Sequence, residues 1–155
     1  MTAATDRATA SKPRAHIRQH VLIRRVFNPL VVRLRLSPTL IVRGRRSGKQ
    51  RSVPFDGPFE YEGRRYLVSP MGDSYWARNL RAAGEAELRI RRQREQIRVV
   101  EMQDPERSAI VKAYAASLTC NCRTYMARLP NPADHPVFRI DPPDEVVDHG
   151  AQLGP

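Results

Sequence analysis

The sequence predicts an α+β domain that is mainly β, with six to seven short, mostly antiparallel strands forming a small barrel flanked by helices. Three observations carry this expectation. Short β-prone runs bounded by Gly, Pro or charged residues fill the middle of the chain. Helical periodicity is confined to a few segments, one interrupting the strands and a longer one following them. Finally, no strand–helix alternation or internal repeat suggests a doubly wound sheet or a solenoid.

Taken in order, residues 1–14 (MTAATDRATASKPR) are small and polar and read as a disordered tail. A single domain is expected over 15–141, with a Pro- and Asp-rich tail at 142–155. From Ala15 to Arg35, Ile17 and Val21 recur at helical spacing, and Asn28-Pro29 reads as an N-cap with a first-turn proline. Strands are expected at Leu40–Val42, Ser52–Phe55, Phe59–Tyr61 and Tyr66–Ser69, with Glu62-Gly63 as a hairpin turn. Ser74–Ala83 carries a capping serine and stops at Gly84, which marks a short helix. Ala86, Leu88 and Ile90 alternate with charged residues, and Ile97 and Val99 share a face of the following strand, Gln96–Met102. Asp104-Pro105-Glu106 opens a helix running to about Leu118. Val137–Ile140 is the last strand.

The chain has 155 residues, enough for one domain with a sizeable core. Lys and Arg number 27 against 16 Asp and Glu, giving a net charge of +11, which calls for an anionic partner or an Arg-rich background. Aromatic residues make up only 6% and none interleaves with the Arg run near Gly44, which argues against a base-stacking nucleic-acid surface. No apolar run approaches the roughly 18 residues of a membrane span, and no secretory signal pattern opens the sequence, so the expected location is the cytoplasm. The basic amphipathic N-terminal region is compatible with peripheral membrane contact. Cys120 and Cys122 are too close for an easy disulfide and read as ordinary thiols. His16 and His20 have metal-compatible spacing but no third ligand nearby, so no metal site is assigned.

The segment Gly44–Pro54, GRRSGKQRSVP, concentrates glycines, a serine hydroxyl and the cations Arg45, Arg46, Lys49 and Arg51 between two expected strands. Glycine permits close backbone approach to a phosphate, and arginine pairs with its oxygens in bidentate fashion. Spacing alone leaves two readings open, an anion-binding loop and a solvated basic hairpin. The glycine separation does not match a Walker loop.

GRRSGKQRSVP followed by MGDSYWARNLRA resembles the deazaflavin-dependent nitroreductase family of the split β-barrel flavin-binding proteins, over roughly Leu40 to Ile140. The second motif matches at Trp76, Asn79, Leu80, Arg81 and Ala82. The resemblance implies a split β-barrel, coenzyme F420 with FMN as the alternative, and a homodimer as a family-level expectation. It also implies that Arg45, Arg46, Ser47, Gly48, Arg51 and Pro54 contact the coenzyme, the arginines and Ser47 on its phosphate. Ser69, Met71, Gly72 and Trp76 would lie along the deazaflavin ring. Tyr125 and Tyr114 fall where the family carries substrate-pocket tyrosines, so either hydroxyl would supply a proton or a hydrogen bond during catalysis. The implied activity is hydride transfer from the reduced deazaflavin to a small activated acceptor, a nitro compound, enone or quinone. Departures at Pro70, Met71 and Ala77 motivate an alternative, a non-catalytic binder of flavin, haem or lipid with the same fold.

Overall fold

A computed structural model describes residues 37–118 and 121–141. Seven strands, β1 (Thr39–Arg43), β2 (Gln50–Pro54), β3 (Phe59–Tyr61), β4 (Arg64–Val68), β5 (Glu85–Ile90), β6 (Gln93–Glu101) and β7 (Val137–Asp141), form one sheet. Its order is β2-β1-β5-β6-β7-β4-β3, with every pairing antiparallel. Helices α1 (Tyr75–Ala83), α2 (Glu106–Ser117) and α3 (Asn121–Arg128) flank it. The mainly-β, split-barrel-like expectation therefore holds, with one correction: the sheet is open, because its outermost strands β2 and β3 pair inward and not with each other. The N-terminal helices, His16, His20, Cys120 and both tails lie outside the described residues.

Each face of the sheet is covered by a different helical layer, and the period-2 alternation of the strands sorts residues between them. On β4, Leu67 enters one core, while Tyr66 and Val68 enter the other. On β7, Phe138 and Ile140 join Leu67, and Val137 joins Val68. The first core closes under α1, whose Trp76, Ala77 and Leu80 pack on Leu40, Val42, Ala86 and Leu88. The second joins Ile110, Val111 and Tyr114 of α2 to Met126 of α3.

Local chemistry fixes the ends of α1. The Ser74 hydroxyl accepts from the Ala77 amide at 3.4 Å, and Gly84, at φ 70°, donates its own amide to Leu80 O at 2.8 Å. Arg81 then ties the helix to its surroundings, donating to Asp73 at 3.0 Å and to both oxygens of Glu101 on β6 at 2.5 and 2.8 Å. Glu62 (φ 50°) and Gly63 (φ 74°) form the β3–β4 turn, a backbone shape in which both central residues have positive φ.

Strand boundaries move from their expected places at β2 and β6, which begin at Gln50 and Gln93, because pairing with β1 and β5 carries polar residues into the ladder. Helix α3 has no counterpart in the sequence expectation. Its sequence NCRTYMAR is short and polar, and Met126 is the residue it buries in the second core. Phe138 is 1% exposed and its ring centroid lies 6.2 Å from that of Trp76. Phe138→Ala is expected to destabilise the fold by about 3–5 kcal/mol, read as a lower urea midpoint at an unchanged slope.

Candidate functional site

The turn between β1 and β2 is built by its own backbone. Gly44 donates to Lys49 O at 2.8 Å, and Gly48, at φ 65°, donates to Gly44 O at 2.8 Å. A Cβ on Gly44 would lie 3.0 Å from Ser47 Oγ and 3.2 Å from Lys49 O, so a side chain there would press those atoms outward by a few tenths of an ångström. Ser47 Oγ accepts weakly from the Lys49 amide at 3.4 Å. This arrangement leaves Arg45, Arg46, Ser47 and Arg51 on the surface, a set of donors with the chemistry to meet an oxyanion.

The two sequence motifs meet at one atom. Asn79 Oδ1, on the buried side of α1, accepts from the Arg45 amide at 3.3 Å and from Arg45 Nη1 at 3.1 Å. The basic loop is thereby fastened to the helix that carries Trp76. Sequence reasoning included Asn79 in the motif but gave it no part in the site, because a contact between residues 34 positions apart has no local signal.

At the other end of β2, the chain borders a cleft of about 110 Å³ lined by Pro54, Phe55, Asp56, Met71, Trp76 and Tyr125, with Tyr114 and Cys122 in its wall. Five of the sequence-assigned residues, Pro54, Met71, Trp76, Tyr114 and Tyr125, thus come together. Arg45, Arg46, Ser47, Gly48 and Arg51 lie apart from them. Arg51 and Pro54 lie three positions apart on the strand, roughly 10 Å of extended chain. Trp76 serves both places, since it lines the cleft while remaining 7% exposed in the first core.

Ser69 and Gly72 are brought near the cleft but do not line it. Ser69 is fully buried, its hydroxyl donating to Gly72 O at 2.6 Å and lying 3.1 Å from Ser74 Oγ. Its carbonyl meets His135 Nδ1 at 3.0 Å, while Nε2 of the same ring lies 2.7 Å from Leu129 O. Together with Gly72 (φ 78°), these contacts shape the turn that presents Pro70 and Met71. Ser69 thus sits beneath the cleft, where its hydroxyl and carbonyl hold the turn.

Asp56 and Cys122 carry no sequence signal, since an isolated carboxylate and an isolated thiol form no motif. In the fold, Asp56 Oδ2 accepts from Cys122 Sγ at 2.6 Å and stands 3.5 Å from the Tyr114 hydroxyl. Burial, and then the nearby Asp56 carboxylate, push the Tyr114 phenol well above its ordinary range. Tyr114 therefore stays protonated and acts as a hydrogen-bond donor, with its ring set edge-on to Phe59 at 5.4 Å. Among the described residues, no cluster of His, Cys, Asp and Glu is arranged to hold a metal ion, and no helix is long and apolar enough to cross a membrane.

A mainly-β sheet under flanking helices, with a basic glycine turn and an aromatic cleft on one edge strand, belongs to the split-barrel-like class. The sequence model of the F420H(2)-dependent quinone reductase family matches residues 16–129, and the chain belongs to that family. Its coenzyme is accordingly F420, and its activity that of an F420-dependent reductase. Among solved structures, the F420-H2 dependent reductase FDR-A is similar at 21% identity and a TM-score of 0.49, over 67% of this chain and 92% of that one. A NimC/NimA family protein from Clostridium acetobutylicum is similar at 15% identity and a TM-score of 0.49, over 67% and 73% of the two chains. The haem storage protein HutZ from Vibrio cholerae shows 11% identity and a TM-score of 0.47, over 74% and 88%. No curated protein matches the sequence.

Two predictions follow from the geometry. Asn79→Ala is expected to cost about 1–2 kcal/mol and to accelerate amide hydrogen exchange at Arg45, with little change in exchange at the β5–β6 hairpin. For Tyr114, the folded pKa lies above the unfolded value of about 10, so its contribution to stability is intact below that pH and is lost as pH rises through the folded pKa. In ultraviolet difference titrations, wild type and Tyr114→Phe should therefore superimpose through the pH range in which the exposed tyrosines ionise, whereas a Tyr114 of ordinary pKa would separate them there.

Proposed function

We propose that this chain binds reduced F420 along β2 and uses it to reduce a small quinone-type acceptor in the cleft beside Tyr114 and Tyr125. The observation that carries this reading is the placement of a basic glycine turn and an aromatic cleft at the two ends of one exposed strand. A ligand with a ring at one end and anionic groups at the other suits that layout, and F420 carries a phosphodiester and an oligoglutamate tail. The donor set fits: Arg45, Arg46, Ser47 and Arg51 would hold the phosphate, and the glycine at position 44 keeps the turn free of a Cβ that would crowd it.

When bound, the coenzyme supplies a hydride. The chain's own residues orient and stabilise. Trp76, fixed by the first core, and Pro54, at the end of β2, would border a planar ring; Met71 would close the same wall. Tyr114, kept neutral, would donate a hydrogen bond to an acceptor oxygen as negative charge develops there. Tyr125 lies in the same wall and would serve as the proton donor. Nitro compounds and enones would accept hydride in the same cleft, so the choice among acceptors rests with its walls.

Quenching of F420 fluorescence by the purified protein tests binding. Wild type should titrate to saturation, and Arg45→Ala/Arg46→Ala should weaken affinity by about 10–100-fold, increasingly so as salt is lowered for the wild type. Absence of quenching at tens of micromolar protein would overturn the reading. Oxidation of reduced F420 by quinone, nitro and enone acceptors then separates a reductase from a binder of the same fold; a uniformly inert panel supports the binder.

A further inference from the structure

The hairpin joining β5 to β6 carries a second concentration of positive charge, at the opposite end of β1 from the Gly44 turn. The register sets Arg89 directly opposite Arg94 on β6 and opposite Thr39 on β1. Leu40 and Leu88 point into the first core, so this row lies on the other face of the sheet. Like charges placed directly opposite each other destabilise a ladder unless something neutralises them. Arg91 and Arg92 complete the turn, and Arg91 sits at φ 56°, where glycine, asparagine or aspartate is usual in a tight hairpin.

These residues enclose a cleft of about 150 Å³, separate from the one beside Trp76. That volume corresponds to about five water molecules, enough for one or two phosphate groups. Arg89 is partly neutralised by Glu87, to which its Nε donates at 2.5 Å. Among the described residues, no carboxylate pairs with Arg91, Arg92 or Arg94. Among the described residues, four guanidinium groups therefore face one carboxylate. The Thr39 hydroxyl is turned to Ser37 O at 3.4 Å, which leaves the guanidinium N–H groups and the Gln93 side chain to meet a ligand. Such a wall offers planar, bidentate donors, the arrangement suited to phosphate oxygens.

We infer that the β5–β6 hairpin cleft is an anion site that takes a phosphate-bearing group, a phosphomonoester or pyrophosphate, through Arg91, Arg92 and Arg94. It is distinct from the Gly44 turn and independent of the coenzyme reading. The phosphate belongs either to a soluble molecule or to a lipid headgroup.

Calorimetric titration of the full chain with inorganic pyrophosphate at low salt provides the test, comparing wild type with Arg91→Ala/Arg92→Ala/Arg94→Ala and with Arg45→Ala/Arg46→Ala. The hairpin variant should lose a binding event that the Gly44-turn variant retains, while its quenching of F420 fluorescence stays at the wild-type level. A single charge reversal, Arg92→Glu, should weaken the same event by at least about tenfold, so the test does not depend on the multiple variant folding. Cosedimentation with phosphatidylcholine vesicles, with and without phosphatidic acid, separates the sources. Retention on phosphatidic acid that the hairpin variant abolishes identifies a headgroup, and pyrophosphate binding without retention identifies a soluble ligand. Wild-type pyrophosphate affinity in both hairpin variants, loss of all binding in the Gly44-turn variant, or no binding by wild type at millimolar pyrophosphate would overturn the inference.

Discussion

The burial of one face of α1 against the sheet is the constraint on which the rest of the structure depends. Trp76, Ala77 and Leu80 enter the first core beside β1 and β5, which fixes the rotation of the helix about its axis. With that rotation set, Asn79 is delivered to Arg45, Arg81 to Asp73 and Glu101, and the indole of Trp76 to the cleft wall. The loop and the cleft are thus held in register by one hydrophobic contact, to which the cleft itself lends Trp76. The Ser74 cap and the left-handed Gly84 serve the same end by fixing where the helix starts and stops.

The second helical layer contributes differently. Helices α2 and α3 cover the opposite face of β4 and β7, and their contribution to the cleft arrives from that side through Tyr114, Cys122 and Tyr125. Tyr114 belongs at once to this core and to the cleft wall, which explains why its phenol is held neutral: the packing that positions it also removes the water that would solvate a phenolate. The carboxylate of Asp56 reinforces this, and it reaches the site from the segment following β2, the strand that also ends in Pro54.

Much of this was legible in the sequence. Residues with local signals were read well: the alternating Leu88 and Ile97 strands, the Ser74–Gly84 helix with its cap and stop, and the Glu62-Gly63 turn. The family was legible from two motifs, since glycines and cations at fixed spacing in one and Trp76 with Asn79 in the other form a specific pair. What escaped depended on long-range geometry. The direction of the Ser69 hydroxyl, the bond between Asn79 and Arg45 and the meeting of Asp56 with Cys122 follow from the packing of distant segments. Helix α3 escaped because a short polar segment is held helical by its tertiary neighbours more than by its own periodicity.

Strand β2 lies at the margin of the sheet, where unpaired backbone groups invite another chain to add itself. Its sequence, QRSVP, resists that invitation: Arg51 brings charge to the exposed margin, and Pro54 has no amide to donate. Two of the side chains proposed to meet the coenzyme are therefore also ones that discourage strand addition at this edge. Loop engineering that replaces Arg51 with a neutral, β-prone residue would turn a guarded margin into a template for intermolecular strand addition, coupling colloidal behaviour to the chemistry of this one edge.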